Sequence, residues 1–276
     1  MSAPAAHRVL AADAHAVPAP FRSFAVRSEQ ARHAFDARAP YGRVHLLRSG
    51  LDDAALAGLA AQGRARMDVQ AFGDIDYAHV APAELQAAAP HVDDLAGRIA
   101  AALQSTRVLD AGASAWRDAV AARIDYLGSR GAGFHNDVAG HWTACLFWNL
   151  ALDLADVEFV MPHAGVRVAL APGDLVVFDQ TMAHGLCRPR DAGQAVAASF
   201  ETGGDDDRQV FLSGELALDD ARWAALGAPW RPVEEHARHD ALDLMAAEFD
   251  ERSGAIKGLR ALRGCMQRGV SYVDER

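Results

Sequence analysis

The sequence predicts an α+β chain with a mainly β core, a double-stranded β-helix or jelly roll, flanked by helices on its N-terminal and C-terminal sides. Three observations predict it. Between about residues 123 and 200, short apolar runs alternate with Gly, Pro and Asp turns, the pattern of an antiparallel sandwich or barrel. Upstream, 52–59 and 92–104 carry apolar residues at helical spacing. Downstream, 219–226, 233–249 and 256–268 return to that spacing.

Residues 1–40 read as a loosely ordered lead-in, because Pro4, Pro18, Pro20 and Pro40 interrupt scattered charge. A single catalytic domain over 41–276 follows. Val44–Leu47 is a short strand, and Asp52-Asp53 then opens a helix, where acidic residues favour the positive end of the helix dipole. The next helix carries Leu95, Ile99, Ala102 and Leu103 on one face. Strands are expected at 123–127, 143–150, 157–161 and 166–170. Pro172-Gly173-Asp174 turns the chain into Leu175–Phe178. His184 opens a strand that returns through Asp191-Ala192-Gly193 to 195–200. Such a succession suits a double-sheet jelly roll whose mouth holds a ligand. Gly203–Asp207 reads as a solvated acidic loop before a helical extension over 215–276.

Composition narrows the function. A hydrophobic fraction of 51% over 276 residues supports a sizeable core. A net charge of −10 argues against nucleic acid as partner, since a phosphate backbone calls for a basic patch, and leaves a small-molecule substrate. Only Cys145, Cys187 and Cys265 occur, so there is neither a disulfide framework nor a CxxC zinc site, which fits a reducing cytoplasm. Met1–Pro20 lacks the unbroken apolar core of a signal peptide, and no later run is long and apolar enough to span a bilayer, so no membrane partner is expected. Oligomeric state is not encoded legibly.

The chemistry concentrates in His135-Asn136-Asp137 and in His184, 184 − 135 = 49 residues on. On extended backbone, residues two apart share a face, so His135 and Asp137 point the same way. A second imidazole from another strand completes two His and one carboxylate on one side of a divalent iron, with open positions opposite.

Tyr126-x8-His135-Asn136-Asp137, the run Ala171-Pro172-Gly173-Asp174-Leu175-Val176-Val177-Phe178, and His184-Gly185 together resemble the Fe(II)/2-oxoglutarate-dependent dioxygenases, in their prolyl-4-hydroxylase-like branch. The resemblance covers about 123–200. It implies that His135, Asp137 and His184 bind iron, with 2-oxoglutarate and O2 as cosubstrates. It further implies oxidative decarboxylation to succinate and CO2, coupled to oxidation of a substrate C–H bond. Halogenating members lack the carboxylate ligand, so the presence of Asp137 favours hydroxylation or a related oxidation. Tyr126, nine residues before His135, corresponds to a tyrosine that helps hold the distal carboxylate of 2-oxoglutarate.

One position departs from the family. An Arg or Lys usually stands about ten residues after the second His, and here that position is Gln194, or Ala195 when aligned on Gly193. A dicarboxylate in a dry pocket needs a compensating donor, best an Arg fork. Arg188 and Arg190 share the strand parity of His184, and Arg188, about 13 Å along the strand at ~3.3 Å per residue, is preferred. Arg123, Arg167 and Ser199 are weaker candidates. Trp142, Phe147 and Trp148 are expected to pack between the sheets, and His45, His79, His141 and His163 to be structural. Loops at 71–83 and after Gly128, with the C-terminal helices, would select the substrate, a small metabolite or amino-acid derivative. Two alternatives stand beside this reading: an iron enzyme of the same fold that does not use 2-oxoglutarate, and a cupin-like binding or sensor protein.

Overall fold

The fold is taken from a computed structural model that describes residues 8–11, 25–26, 36–38, 41–67, 75–104, 124–129, 132–135, 145–154, 157–161, 166–180, 182, 184–188, 196–197, 209–232, 245–249 and 256–261. In chain order the elements are β1 (Arg8–Ala11), β2 (Ala25–Val26), β3 (Asp36–Arg38), β4 (Arg43–Arg48), α1 (Asp53–Arg66), β5 (Ile75–His79), α2 (Pro82–Ala88), α3 (Leu95–Gln104), β6 (Ile124–Ser129), β7 (Ala132–His135) and β8 (Cys145–Asp153). There follow β9 (Glu158–Met161), β10 (Val166–Ala169), β11 (Asp174–Phe178), β12 (His184–Arg188), β13 (Val196–Ala197), β14 (Gln209–Ala217), α4 (Asp220–Ala225), β15 (Arg231–Pro232), β16 (Met245–Phe249) and β17 (Ile256–Ala261).

Two antiparallel sheets dominate. The larger has seven strands in the order β1-β4-β11-β8-β14-β6-β5. The smaller runs β10-β9-β12-β13, with β7 also paired to β12. A strand has two edges, and β9 takes one edge of β12, so β7 and β13 share the other.

The period-2 alternation of the strands divides the large sheet into two faces with separate cores. Leu146, Trp148, Leu150, Leu175, Val177, Leu212 and Leu216 pack with Leu56 and Leu59 of α1, Leu85 of α2, Ile99 and Leu103 of α3 and Trp223 of α4. The alternate positions Leu46, Phe147, Val176, Phe178 and Phe211 pack with Phe159, Met161, Val166 and Leu186 of the small sheet. Each such large apolar side chain, once buried, contributes about 1.5–3 kcal/mol. Phe147 therefore packs between the sheets as expected, whereas Trp148, the next residue, faces the helices.

Local chemistry explains the helix ends. Asp52 caps α1 by accepting from the Ala55 N–H at 2.8 Å, and Asp219 caps α4 by accepting from the Arg222 N–H at 2.7 Å. At α2, Pro82 fills the first turn, where no N–H is needed, and Glu84 accepts from the Ala81 N–H at 3.0 Å.

The Pro172-Gly173-Asp174 turn forms as the sequence predicts. Gly173 has φ +88, and Asp174 N–H donates to the Ala171 carbonyl at 2.9 Å, the pattern of a turn with Pro second and Gly third. Asp174 secures it by accepting from Ala171 N–H at 2.8 Å and from Arg48 at 2.7 Å.

Four expectations are corrected. Residues 8–11 of the lead-in form β1, an edge strand of the large sheet paired with β4. The stretch read as a pocket loop at 71–83 contains β5 and the start of α2. The helical extension at 215–276 begins instead with the end of β14, a strand inserted between β8 and β6. Lastly, 245–249 and 256–261, read as helical, pair as the antiparallel ladder β16·β17. Met-Ala-Ala-Glu-Phe has good helix propensity, but propensity is a weak prior that strand pairing overrides, and Gly258 weakens the helical alternative on the other side. Among the described residues, no helix is long and apolar enough to cross a membrane.

Candidate functional site

Between the two sheets lies a cavity walled by alternate residues of the large sheet: Leu127 and Ser129 of β6, Phe147 and Asn149 of β8, Val176 and Phe178 of β11, Phe211 and Ser213 of β14. Phe159, His184, Gly185 and Leu186 close it from the small sheet, and Tyr77 of edge strand β5 stands at the rim, 48% exposed. It offers about 50 Å³ to the centres of water-sized molecules, against the ~10–15 Å³ that one water needs. That is room for part of a small ligand.

His184 is the one described ionisable side chain in this wall, and it is 7% exposed. Its Nδ1–H donates to the Met182 carbonyl at 2.9 Å. In a neutral imidazole that bond leaves Nε2 carrying the lone pair, the state of a ring about to coordinate a metal. The rings of Phe178 (4.8 Å between centroids) and Phe159 (6.3 Å) flank it at tilts of 56° and 30°. They limit its rotation and keep the surroundings apolar.

The partner strand supplies the second imidazole position. In the β12·β7 ladder, His184 stands directly opposite His135, and the register shifts between His184 and Leu186. Two residues 49 apart in sequence thus occupy facing backbone positions, about 4.5–5.5 Å between Cα atoms in an antiparallel pair. Asp137 and Arg190 lie outside the described residues, as do Arg123, Trp142 and Ser199. Arg188 ends β12, opposite Val196. Among the described residues, no group of three or more His, Cys, Asp or Glu side chains gathers around one point.

An iron ion fits what is described, since His184 presents a carbonyl-oriented imidazole beside the backbone position of a second. A dicarboxylate fits less well. Ser129, Asn149 and Ser213 offer neutral hydrogen bonds, and the described cavity wall contains no Lys or Arg. Ser213 Oγ–H donates to Asn149 Oδ1 at 2.7 Å, which turns the Asn149 amide N–H groups toward other partners. Ser129 Oγ–H donates to Gln209 Oε1 at 3.2 Å.

Tyr126, expected to hold the distal carboxylate, sits on the other face of β6. It is fully buried in the helix-side core, and its hydroxyl donates to Gln62 Oε1 of α1 at 2.7 Å. Burial pushes its phenol up from the ordinary value. The physical reason is parity: Leu127 and Ser129 line the cavity, so Tyr126 between them cannot. Arg167 ion-pairs with Glu158 on the neighbouring strand β9. His45 bonds the Tyr41 hydroxyl at 2.9 Å and His79 bonds Asp125 at 3.2 Å, both structural roles.

Asn149, Ser129, Ser213 and Phe178 were not singled out by sequence. Asn149 had a signal, as a lone amide in the apolar strand run Cys145–Leu152. Ser213 required β14 to be read as a strand.

No family model matches the sequence, and no curated protein matches it. Among solved structures, the chain is similar to a viral collagen prolyl hydroxylase from Paramecium bursaria Chlorella virus-1 in its 2OG complex (10% identity, 64% of this chain and 96% of that chain, TM-score 0.40). It is also similar to a Pseudomonas putida prolyl-4-hydroxylase (15% identity, 64% and 92%, TM-score 0.34). A third is the non-heme alpha ketoglutarate dependent epimerase from nogalamycin biosynthesis (19% identity, 64% and 78%, TM-score 0.36). Likeness at this level says nothing of what this chain binds.

Proposed function

We propose that this chain is an Fe(II)- and 2-oxoglutarate-dependent oxygenase that oxidises a C–H bond of a small metabolite or amino-acid-derived substrate, releasing succinate and CO2, in the cytoplasm. The observation that carries the reading is the pairing of His184 with His135 across β12 and β7, with Asp137 two residues beyond. Residues i and i+2 of an extended segment share a face, so the carboxylate follows the imidazole.

When bound, the iron supplies activation of O2 coupled to decarboxylation of 2-oxoglutarate. The chain's own residues do the rest. The Met182 carbonyl holds the His184 ring with Nε2 available as a ligand. Phe159 and Phe178 exclude water from its sides, which strengthens every polar contact nearby. Asn149, oriented by Ser213, offers N–H donors to an oxygen of whatever enters. Arg188 is the proposed counter-charge for the distal carboxylate, with Arg190 as the alternative.

The test is anaerobic loading with Fe(II), then 2-oxoglutarate and air, with succinate measured. Wild type should form succinate slowly even without its substrate, and His184→Ala should lose this with its Fe(II) binding. Failure of the wild-type protein to bind Fe(II) would end the proposal.

A second reading, an iron enzyme that does not take 2-oxoglutarate, is favoured by the lack of Lys or Arg in the described wall and by the orientation of Tyr126. It predicts Fe(II) binding with no succinate and no effect of 2-oxoglutarate on stability. A binding or sensor protein would hold the metal with no oxidation of any offered compound.

A further inference from the structure

We propose that Asp179 is a positioning residue for His184, acting through the buried turn between them. Asp179 follows the last residue of β11 and is completely buried. Its Oδ2 accepts from the Tyr41 backbone N–H at 2.6 Å, a charge-assisted bond across 138 residues of sequence. Its own carbonyl accepts from the Met182 N–H at 3.1 Å and closes the turn. The Met182 carbonyl then accepts from His184 Nδ1 at 2.9 Å.

A continuous path thus runs from the segment before β4, through one carboxylate and one turn, to the imidazole. Gln180 is also fully buried, and its amide donates to Cys145 Sγ at 3.4 Å, which ties the middle of the turn to β8. The turn is therefore held from two strands of the large sheet while its last carbonyl faces the small one. A turn at the surface would let that carbonyl wander; this one is pinned at its start by an ionised group whose only way to keep its charge in the interior is through its hydrogen bonds. Held there, the carbonyl selects one tautomer and one rotation of the His184 ring.

The functional meaning rests on His184 being a ligand, as proposed above, but the positioning itself does not, and the two are measured separately. In the metal-free protein labelled with 15N-histidine, His184 (assigned by its loss in His184→Gln) should show the Nδ1–H tautomer in wild type. Asp179→Ala should convert it to a mixture of tautomers. Asp179→Asn, which keeps a neutral acceptor in the same place, should fall between them. In Co(II) titrations, Asp179→Ala should bind about 10–100-fold more weakly than wild type, the loss seen when the outer partner of a ligand is removed. Asp179→Asn should again lie between.

A wild-type tautomer in folded Asp179→Ala overturns the proposal. If Asp179→Ala does not fold, wild-type values for both tautomer and Co(II) affinity in Asp179→Asn overturn it. Failure of wild type itself to bind Co(II), with the tautomer shift present, removes the metal reading and keeps the positioning one.

Discussion

Replacing Gly214 by alanine tests the division of the large sheet into two faces. Gly214 lies on β14 opposite Trp148 of β8, and a Cβ built on it would stand 2.6 Å from Cε2, Cζ2 and Nε1 of that indole. Carbon atoms settle at about 3.5–4.0 Å, so ring or strand must move by roughly 1 Å. Trp148 is fully buried among α1, α2, α3 and neighbouring strands, where there is no space to yield. Overpacking of this kind costs about 1–3 kcal/mol. Three contacts to one rigid ring place it near the top of that range. Removing a glycine returns about 0.5–1 kcal/mol by restricting the unfolded chain. The net expectation is a loss of about 2 kcal/mol, read from urea unfolding with an unchanged m-value. Gly42→Ala is the control, because the nearest atom to its Cβ is Met182 Sδ at 4.0 Å, an ordinary contact, and it should stay within about 0.5 kcal/mol of wild type. A Gly214→Ala protein as stable as wild type would show that Trp148 does not pack beneath β14 and would undo the assignment of faces.

Tyr126→Phe should lose about 1 kcal/mol, the worth of its bond to Gln62, and leave 2-oxoglutarate affinity by calorimetry unchanged; a large fall in that affinity would return Tyr126 to the cavity. Because burial raises the Tyr126 phenol in the folded state, its contribution is complete below the unfolded value of about 10 and is lost as pH climbs above it, so wild type should weaken more steeply than Tyr126→Phe in alkaline unfolding. Ser213→Ala should cost about 1 kcal/mol and, by freeing the Asn149 amide to turn, weaken ligand binding in the cavity severalfold, whereas unaltered binding would make the pair merely structural. Arg48→Ala should destabilise by no more than about 1 kcal/mol, because its pair with Asp174 is half in solvent, and an effect of several kcal/mol would mean that the Pro172-Gly173 turn depends on it.

Much of the β core was legible because its signals are local. The turn at Pro172-Gly173-Asp174 needs a residue at positive φ and a short acceptor, and both are written in three adjacent letters. Alternation in β8 and β11 marked strands, and an acidic first turn marked α1. The facing of His135 and His184 followed from their lying in separate strands of one small sheet. What stayed hidden depends on partners far away. The face taken by Tyr126 and Trp148 is decided by the register of β6, β8 and β14, and β14, preceded by an acidic loop, was not read as a strand at all. The β16·β17 ladder is likewise a matter of pairing, in a segment whose residues individually favour helix. Asp179 could not be chosen from sequence, since its partner Tyr41 lies 138 residues away.

β14 borders β8 on one edge and β6 on the other, with Ser213 and Phe211 toward the cavity and Leu212 and Gly214 toward the helices. Lengthening this strand by a single residue would turn it inside out, delivering leucines to the ligand and a serine to the leucine-rich interior, so tolerance of insertions there is nil. Point changes are another matter. Odd-numbered positions along it can drift to suit a new compound while even-numbered ones keep the molecule folded, which lets specificity and sturdiness evolve as separate traits on one nine-residue ribbon.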